Sequence, residues 1–175
     1  MKIIHCADLH LDSKMTSFLS RDKAKERKAE LLVTFTRMVN YAVSEGVSAI
    51  LIAGDLFDTK LISVHAKNVV SDVILTHPGI TFYYLRGNHD AEDLLNGFSE
   101  IPSNLKLFDI EWKSYRLSDR VVLHGVEFDK ENANRVQSDF YPDPSKINIV
   151  MLHGQESEAL SKDKTEVINL NLFKN

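Results

Sequence analysis

Cys6 is the only cysteine among 175 residues. One thiol cannot build a disulfide framework or a cysteine-based zinc site, and its place inside the apolar run KIIHCA (residues 2–7) assigns it to core packing. A reducing, cytoplasmic setting is expected. No apolar stretch approaches the roughly 20 residues that span a bilayer, and the N-terminus MKIIHCADLHLD turns polar at Asp8, too early for a secretory signal. Positive charge is in deficit as well: 21 Lys and Arg stand against 25 Asp and Glu, a net charge of −4. The chain therefore has no basic footprint for gripping duplex DNA by phosphate neutralisation, and a nucleic-acid substrate would need something else to help hold it. Repeats, low-complexity segments and interdomain linkers are missing too. With 43% hydrophobic and 26% charged residues, a single globular domain over residues 1–175 is expected, long enough to bury about two-thirds of its unfolded surface.

Apolar runs alternate with a helical pattern. Residues 2–7 read as a short strand. In RDKAKERKAELLVTFTRMVNYAVSEG (21–46), Leu31, Leu32, Phe35, Met38, Val39 and Ala42 recur at helical spacing up to a terminating Gly46. VSAILIA (47–53) reads as a doubly buried strand. SVHAKNVVSDVILTH (63–77) reads as a second helix with Val64, Val69, Val70, Val73 and Ile74 mostly inward, and ITFYYL (80–85) as a third strand. Strand, helix, strand, helix, strand implies a parallel sheet with helices on both faces, an α/β fold. After about residue 104 the runs shorten to NLKLF, EWKSYRL and RVVLHGVEF. The last two are joined by a tight Ser118-Asp119, which suggests a second sheet with a hairpin. SDFYPDPSK (138–146) reads as a loop, INIVML (147–152) as one more buried strand, and the tail from Gln155 is polar until INLNLF.

Four of these strands run straight into polar residues of metal-ligand type. KIIHCA leads to Asp8-Leu9-His10, SAILIA to Gly54-Asp55-Leu56-Phe57-Asp58, ITFYYL to Arg86-Gly87-Asn88-His89-Asp90, and INIVML to His153-Gly154. In open parallel sheets the ligand crevice lies outside the carboxyl ends of the strands, so the four ends should converge. On an extended backbone Asp8 and His10 would point to the same side and bite one ion together. Asp55 follows a glycine that can turn tightly, and its two oxygens can bridge two cations. Asn88 offers a neutral carbonyl oxygen and His153 an imidazole nitrogen. Oxygen and nitrogen donors without sulfur suit Mn²⁺, Fe²⁺ or Zn²⁺ rather than Ca²⁺. Two ions about 3.5–4 Å apart can activate a water and clamp phosphoryl oxygens in an in-line displacement. His89 is left as general acid toward the leaving oxygen, with Asp58 a candidate acceptor for its ring N–H.

Other polar residues read more plainly. His124-Gly125 lies between two apolar stretches of one strand and is assigned a structural role, whereas His5 and His77 read as structural or surface residues. Arg86 could touch a substrate phosphate, but pairing with a nearby carboxylate is as good a reading. RDKAKERK (21–28) reads as a solvated helix face.

The motifs ADLHLD, AGDLFDT, LRGNHD and LHG, in this order, resemble those of the calcineurin-like metallophosphoesterases. HCADLHLDS with GDLFDT is most similar to the bacterial SbcD-type branch of DNA repair exonucleases. The resemblance implies a four-layer αββα fold, two mixed β-sheets face to face with helices outside. It implies that Asp8 and His10 bind a first metal, Asp55 bridges, and Asn88 and His153 bind a second, with His89 as catalytic acid and Asp58 as its partner. Mn²⁺ is the implied cofactor, DNA the implied substrate and an SMC-like ATPase the implied partner; a homodimer stays open. The family pattern continues into another strand ending Gly-His-x-His, and that motif does not occur before Asn175. A C-terminally incomplete fold is thus expected, without a capping region and with weakened metal affinity. Three functions compete: a DNA repair nuclease, a phosphatase or phosphodiesterase of smaller esters, and an inactive module that docks an ATPase.

Overall fold

The computed structural model describes residues 1–15, 19–58, 62–90, 94–95, 98–128, 132, 135–136, 138–156 and 167–173. They fall into two compact units, Met1–Lys106 and Leu107–Asn175. β1 (Ile3–Cys6), β2 (Ala49–Ala53) and β3 (Thr81–Leu85) of the first unit and β4 (Leu105–Leu107), at the boundary between the units, form one sheet in chain order, and β1, β2 and β3 are parallel. Every residue of β2 is buried, as its unbroken apolar sequence requires.

Helix α1 (Arg21–Ser44) buries Leu32, Phe35, Val39 and Ala42, the stripe that the sequence spacing marks out. It ends at Ser44, two residues before a left-handed Gly46. Helix α2 (Val64–Thr76) starts at Ser63, whose hydroxyl accepts the Ala66 N–H at 3.2 Å. Its inward residues are Ala66, Val70, Val73 and Ile74. Val64 is instead 72% exposed, because it opens the first turn on the face away from that stripe. The two helices pack on each other. Strands taken in order with crossovers of one hand put both helices on the same face of the sheet, so the expectation of a helix on each face is not met.

The second unit contains the expected hairpin. β5 (Lys113–Arg116) pairs antiparallel with β6 (Val121–Gly125), and β6 pairs in parallel with β7 (Ile147–Met151), so this sheet is mixed. Farther on, β8 (Gln155–Glu156) pairs with β9 (Val167–Ile168) ahead of a 3-10 turn at Leu170–Phe173; the intervening residues 157–166 lie outside the described ones. His124 is buried here with both ring nitrogens engaged, Nδ1 with Ser114 Oγ and Nε2 with Asn148 Oδ1, each at 2.8 Å. Asn148 uses its amide N–H groups on the Asp143 and Lys146 carbonyls, so its oxygen accepts and His124 Nε2 donates. This histidine is structural.

Burial pushes the Cys6 thiol up to about 11, and its sulfur lies 3.6 Å from the Leu51 carbonyl oxygen. At pH 8 about one thiol in a thousand is then ionised. Iodoacetamide should therefore label the folded chain at least about 100-fold more slowly than the urea-unfolded chain, where the thiol recovers its ordinary acidity. Mass spectrometry reads this at one site, and equal rates would show Cys6 open to solvent.

Candidate metal centre

The loop after β1 lies along the loop after β2, continuing the parallel ladder beyond the strands. Asp8 N donates to Gly54 O (3.1 Å), His10 N to Asp55 O (3.0 Å), Leu11 N to Leu56 O (2.8 Å) and Asp58 N to Leu11 O (3.4 Å). Apolar anchors hold this zipper: Leu11, Leu56 and Phe57 are at most 1% exposed. Burying each such side chain contributes about 1.5–3 kcal/mol, so GDLFD is a pair of acids pinned by the two core residues between them.

The backbone here is not extended as expected. Asp8, His10, Asp12 and Asp55 have φ of 53°, 45°, 61° and 51°, and Gly54 has 85°. Left-handed backbone costs a non-glycine residue about 1–2 kcal/mol, and it persists where surrounding bonds over-determine it. The cross-loop hydrogen bonds do so here. Proximity of the candidate ligands survives the change. His10 Nε2 lies 3.9 Å from Asp8 Oδ1 and 3.9 Å from Asp55 Oδ2. Asp8 and Asp55 present carboxylate oxygens within 4.8 Å of each other.

The turn after β3 closes on the same loop. His89 N donates to Asp55 Oδ1 at 3.1 Å. Asp90 reaches back and accepts three backbone N–H groups, from Phe57 (2.8 Å), Gly87 (3.0 Å) and Leu56 (3.2 Å). Burial pushes its carboxyl above the usual carboxylate range, against the pull of those three donors. The two loops are thus latched in both directions. Gly87 is required by the fit, since a β-carbon there would collide with the Asp55 carboxylate. Asn88 sits at the exposed tip of this turn. His153 follows β7 in the second unit and is half-buried.

Asp58 lies between two imidazoles. Its Oδ1 is 3.4 Å from His10 Nδ1 and 3.6 Å from His89 Nδ1, both beyond good hydrogen-bond length. The two rings stand edge to face, with centroids 5.7 Å apart. Ser13 Oγ donates to the other oxygen, Oδ2, at 2.6 Å. Ser13 and Asp90 are not among the residues that spacing singles out. Only the third position of Asn-His-Asp hints at Asp90, and nothing in the sequence hints at Ser13.

These side chains fit a divalent cation. Asp55 is 3% exposed and shares its surroundings with a second carboxylate, an arrangement that is costly unless positive charge offsets it. An imidazole nitrogen faces both acids, and the donor set is oxygen and nitrogen without sulfur.

Comparison with known proteins agrees with this chemistry. A family model described as calcineurin-like phosphoesterase matches residues 1–174. The chain is 31% identical to the uncharacterized metallophosphoesterase YhaO of Bacillus subtilis, over 93% of its own length and 43% of that protein. It is 30% identical to the DNA double-strand break repair protein Mre11 of Sulfolobus acidocaldarius, over 87% of its length and 41% of the relative. It is also 30% identical to one component of the nuclease SbcCD of Staphylococcus epidermidis, over 73% of its length and 33% of that component. The chain therefore spans well under half of each of these relatives. With a family model covering nearly every residue and two carboxylates and an imidazole grouped beyond its parallel strands, the chain belongs to the calcineurin-like phosphoesterases.

Proposed function

We propose that the chain carries the catalytic centre of a metal-dependent phosphodiester hydrolase acting on DNA, of the kind used in repair. The observation that carries this reading is the buried Asp55 carboxylate, turned to His10 and Asp8 and braced by the His89 backbone N–H. Asp8, His10 and Asp55 would hold one divalent ion, and Asp55, Asn88 and His153 a second; the donors suit Mn²⁺, Fe²⁺ or Zn²⁺, and the motif resemblance implies Mn²⁺. When bound, such ions lower the pKa of water and neutralise charge on phosphoryl oxygens.

The remaining work falls to protein side chains. His89 stands within reach of Asp58 and exposes half its ring to solvent, so it can deliver a proton to the leaving oxygen. Asp58 is placed to accept the Nδ1 proton of that ring and so to hold it in one tautomer. DNA as substrate rests on the named functions of Mre11 and the nuclease SbcCD. An SMC-like ATPase, implied by the motif resemblance, is the proposed partner, and the cytoplasm is the proposed location. The net charge of −4 favours a second reading, hydrolysis of smaller phosphodiesters with the same groups.

Incubation with Mn²⁺ should release p-nitrophenol from bis(p-nitrophenyl) phosphate and shorten linear duplex DNA, with both activities stopped by a chelator. Hydrolysis of the aryl ester with intact DNA would favour the second reading. Silence on both substrates would overturn the hydrolase assignment.

A further inference from the structure

We propose that Ser13 is a positioning residue for two imidazoles at once, acting on both through Asp58; the inference rests on the metal centre proposed above. The Ser13 hydroxyl donates to Asp58 Oδ2 at 2.6 Å, a short charge-assisted bond. That bond leaves Oδ1 as the oxygen presented to His10 Nδ1 and His89 Nδ1. His10 turns its other nitrogen, Nε2, toward Asp8 and Asp55. If Nε2 gives its lone pair to a cation, the ring proton must sit on Nδ1, and a proton there needs an acceptor. Among the described residues His10 Nδ1 is buried with no hydrogen-bond partner, and Asp58 Oδ1, 3.4 Å away, is placed to become one. His89 turns the same atom, Nδ1, to the same oxygen. One carboxylate oxygen thus sets the orientation of a metal ligand and of the proton donor.

The terminal torsion of an aspartate is broad, so without a restraint either oxygen could face the rings. Ser13 supplies that restraint. It is itself well fixed, because the turn from His10 to Ser13 closes with a 3.3 Å bond from Ser13 N to His10 O. Asp12, inside that turn, accepts from Ser63 N at 2.7 Å and pairs with Lys28 at 3.3 Å. The sequence after His10 is therefore built to return a hydroxyl to Asp58.

The test is a double-mutant cycle on the whole chain, with Mn²⁺ affinity by calorimetry and kcat on bis(p-nitrophenyl) phosphate as readouts. Ser13→Ala should weaken Mn²⁺ binding about fivefold and lower kcat about tenfold with KM little changed, modest beside the 10–100-fold typical of groups that hydrogen-bond a metal ligand directly. Ser13→Thr, which keeps the hydroxyl, should recover most of both. In an Asp58→Asn background, Ser13→Ala should add nothing further. Equal losses in both backgrounds, or no loss in either, would overturn the proposal. Mn²⁺ binding without hydrolysis would count against the proposed reaction alone, and the binding cycle would then decide for or against Ser13. A chain that takes up no Mn²⁺ would overturn both.

Discussion

Asp55→Ala is expected to empty the metal centre and to lower turnover by at least about 100-fold, because this carboxylate has more than one task. It offers oxygens to the space shared with Asp8 and His10, and it accepts the His89 backbone N–H. Its removal should therefore abolish Mn²⁺ uptake and loosen the turn that carries the proposed acid. His89→Ala is the contrasting variant. It deletes the proton donor alone, so kcat should fall by about 10²–10⁴ while Mn²⁺ content stays near that of the parent chain. Metal analysis after gel filtration, paired with turnover of the aryl phosphodiester, separates the two. If both variants lost metal together, or both kept it, the division between ligand and acid would be wrong.

The positions behind those two proposed roles are legible in the sequence because the fold puts strand ends together by rule. KIIHCA, SAILIA and ITFYYL are apolar runs of the right length, and Asp8, Asp55 and His89 follow them by a few residues. Parallel pairing then brings them to one edge. What spacing cannot show is how the loops are shaped beyond the strands. The left-handed backbone at Asp8, His10 and Asp55 is fixed by hydrogen bonds between segments more than forty residues apart, such as Asp8 N to Gly54 O. No local propensity encodes such a partner. Asp90 is hidden for a similar reason. As the last letter of Asn-His-Asp it reads as turn chemistry, which its bond from Gly87 N fulfils, yet its other two bonds run to Leu56 and Phe57 in another loop. Val64 misleads in the opposite way, being an apolar residue at the helix entry whose position in the first turn leaves it in water. Helix placement is ambiguous in the sequence because alternation of strand and helix fits two topologies, and only the strand order β1-β2-β3 puts both helices on one face.

Gly87→Ala tests whether the two loops are locked together as tightly as their hydrogen bonds imply. A β-carbon at this position would stand 2.7 Å from Asp55 N and 2.9 Å from Asp55 Cγ, and closer still to Oδ1. The neighbour is the backbone and buried acid of the candidate bridging residue, not the free end of a flexible chain. Retreat of the turn is blocked from the other side, because Gly87 N donates to Asp90, which also holds Leu56 and Phe57. Overpacking of this kind costs about 1–3 kcal/mol, which in a chain of this size lowers the melting temperature by roughly 3–10 °C. The functional loss should exceed the stability loss. Displacing Asp55 and His89 by about 1 Å can cost 10²-fold in rate, so kcat should collapse in protein that is still folded at 25 °C. Gly79→Ala provides the control, since a β-carbon there meets nothing within 4 Å. Its melting temperature should stay within about 2 °C of the parent and its Mn²⁺ affinity should be unchanged. Two alanine variants that melted and turned over alike would mean that the turn after β3 yields freely, and that the close fit of Gly87 against Asp55 does not set the geometry of the centre.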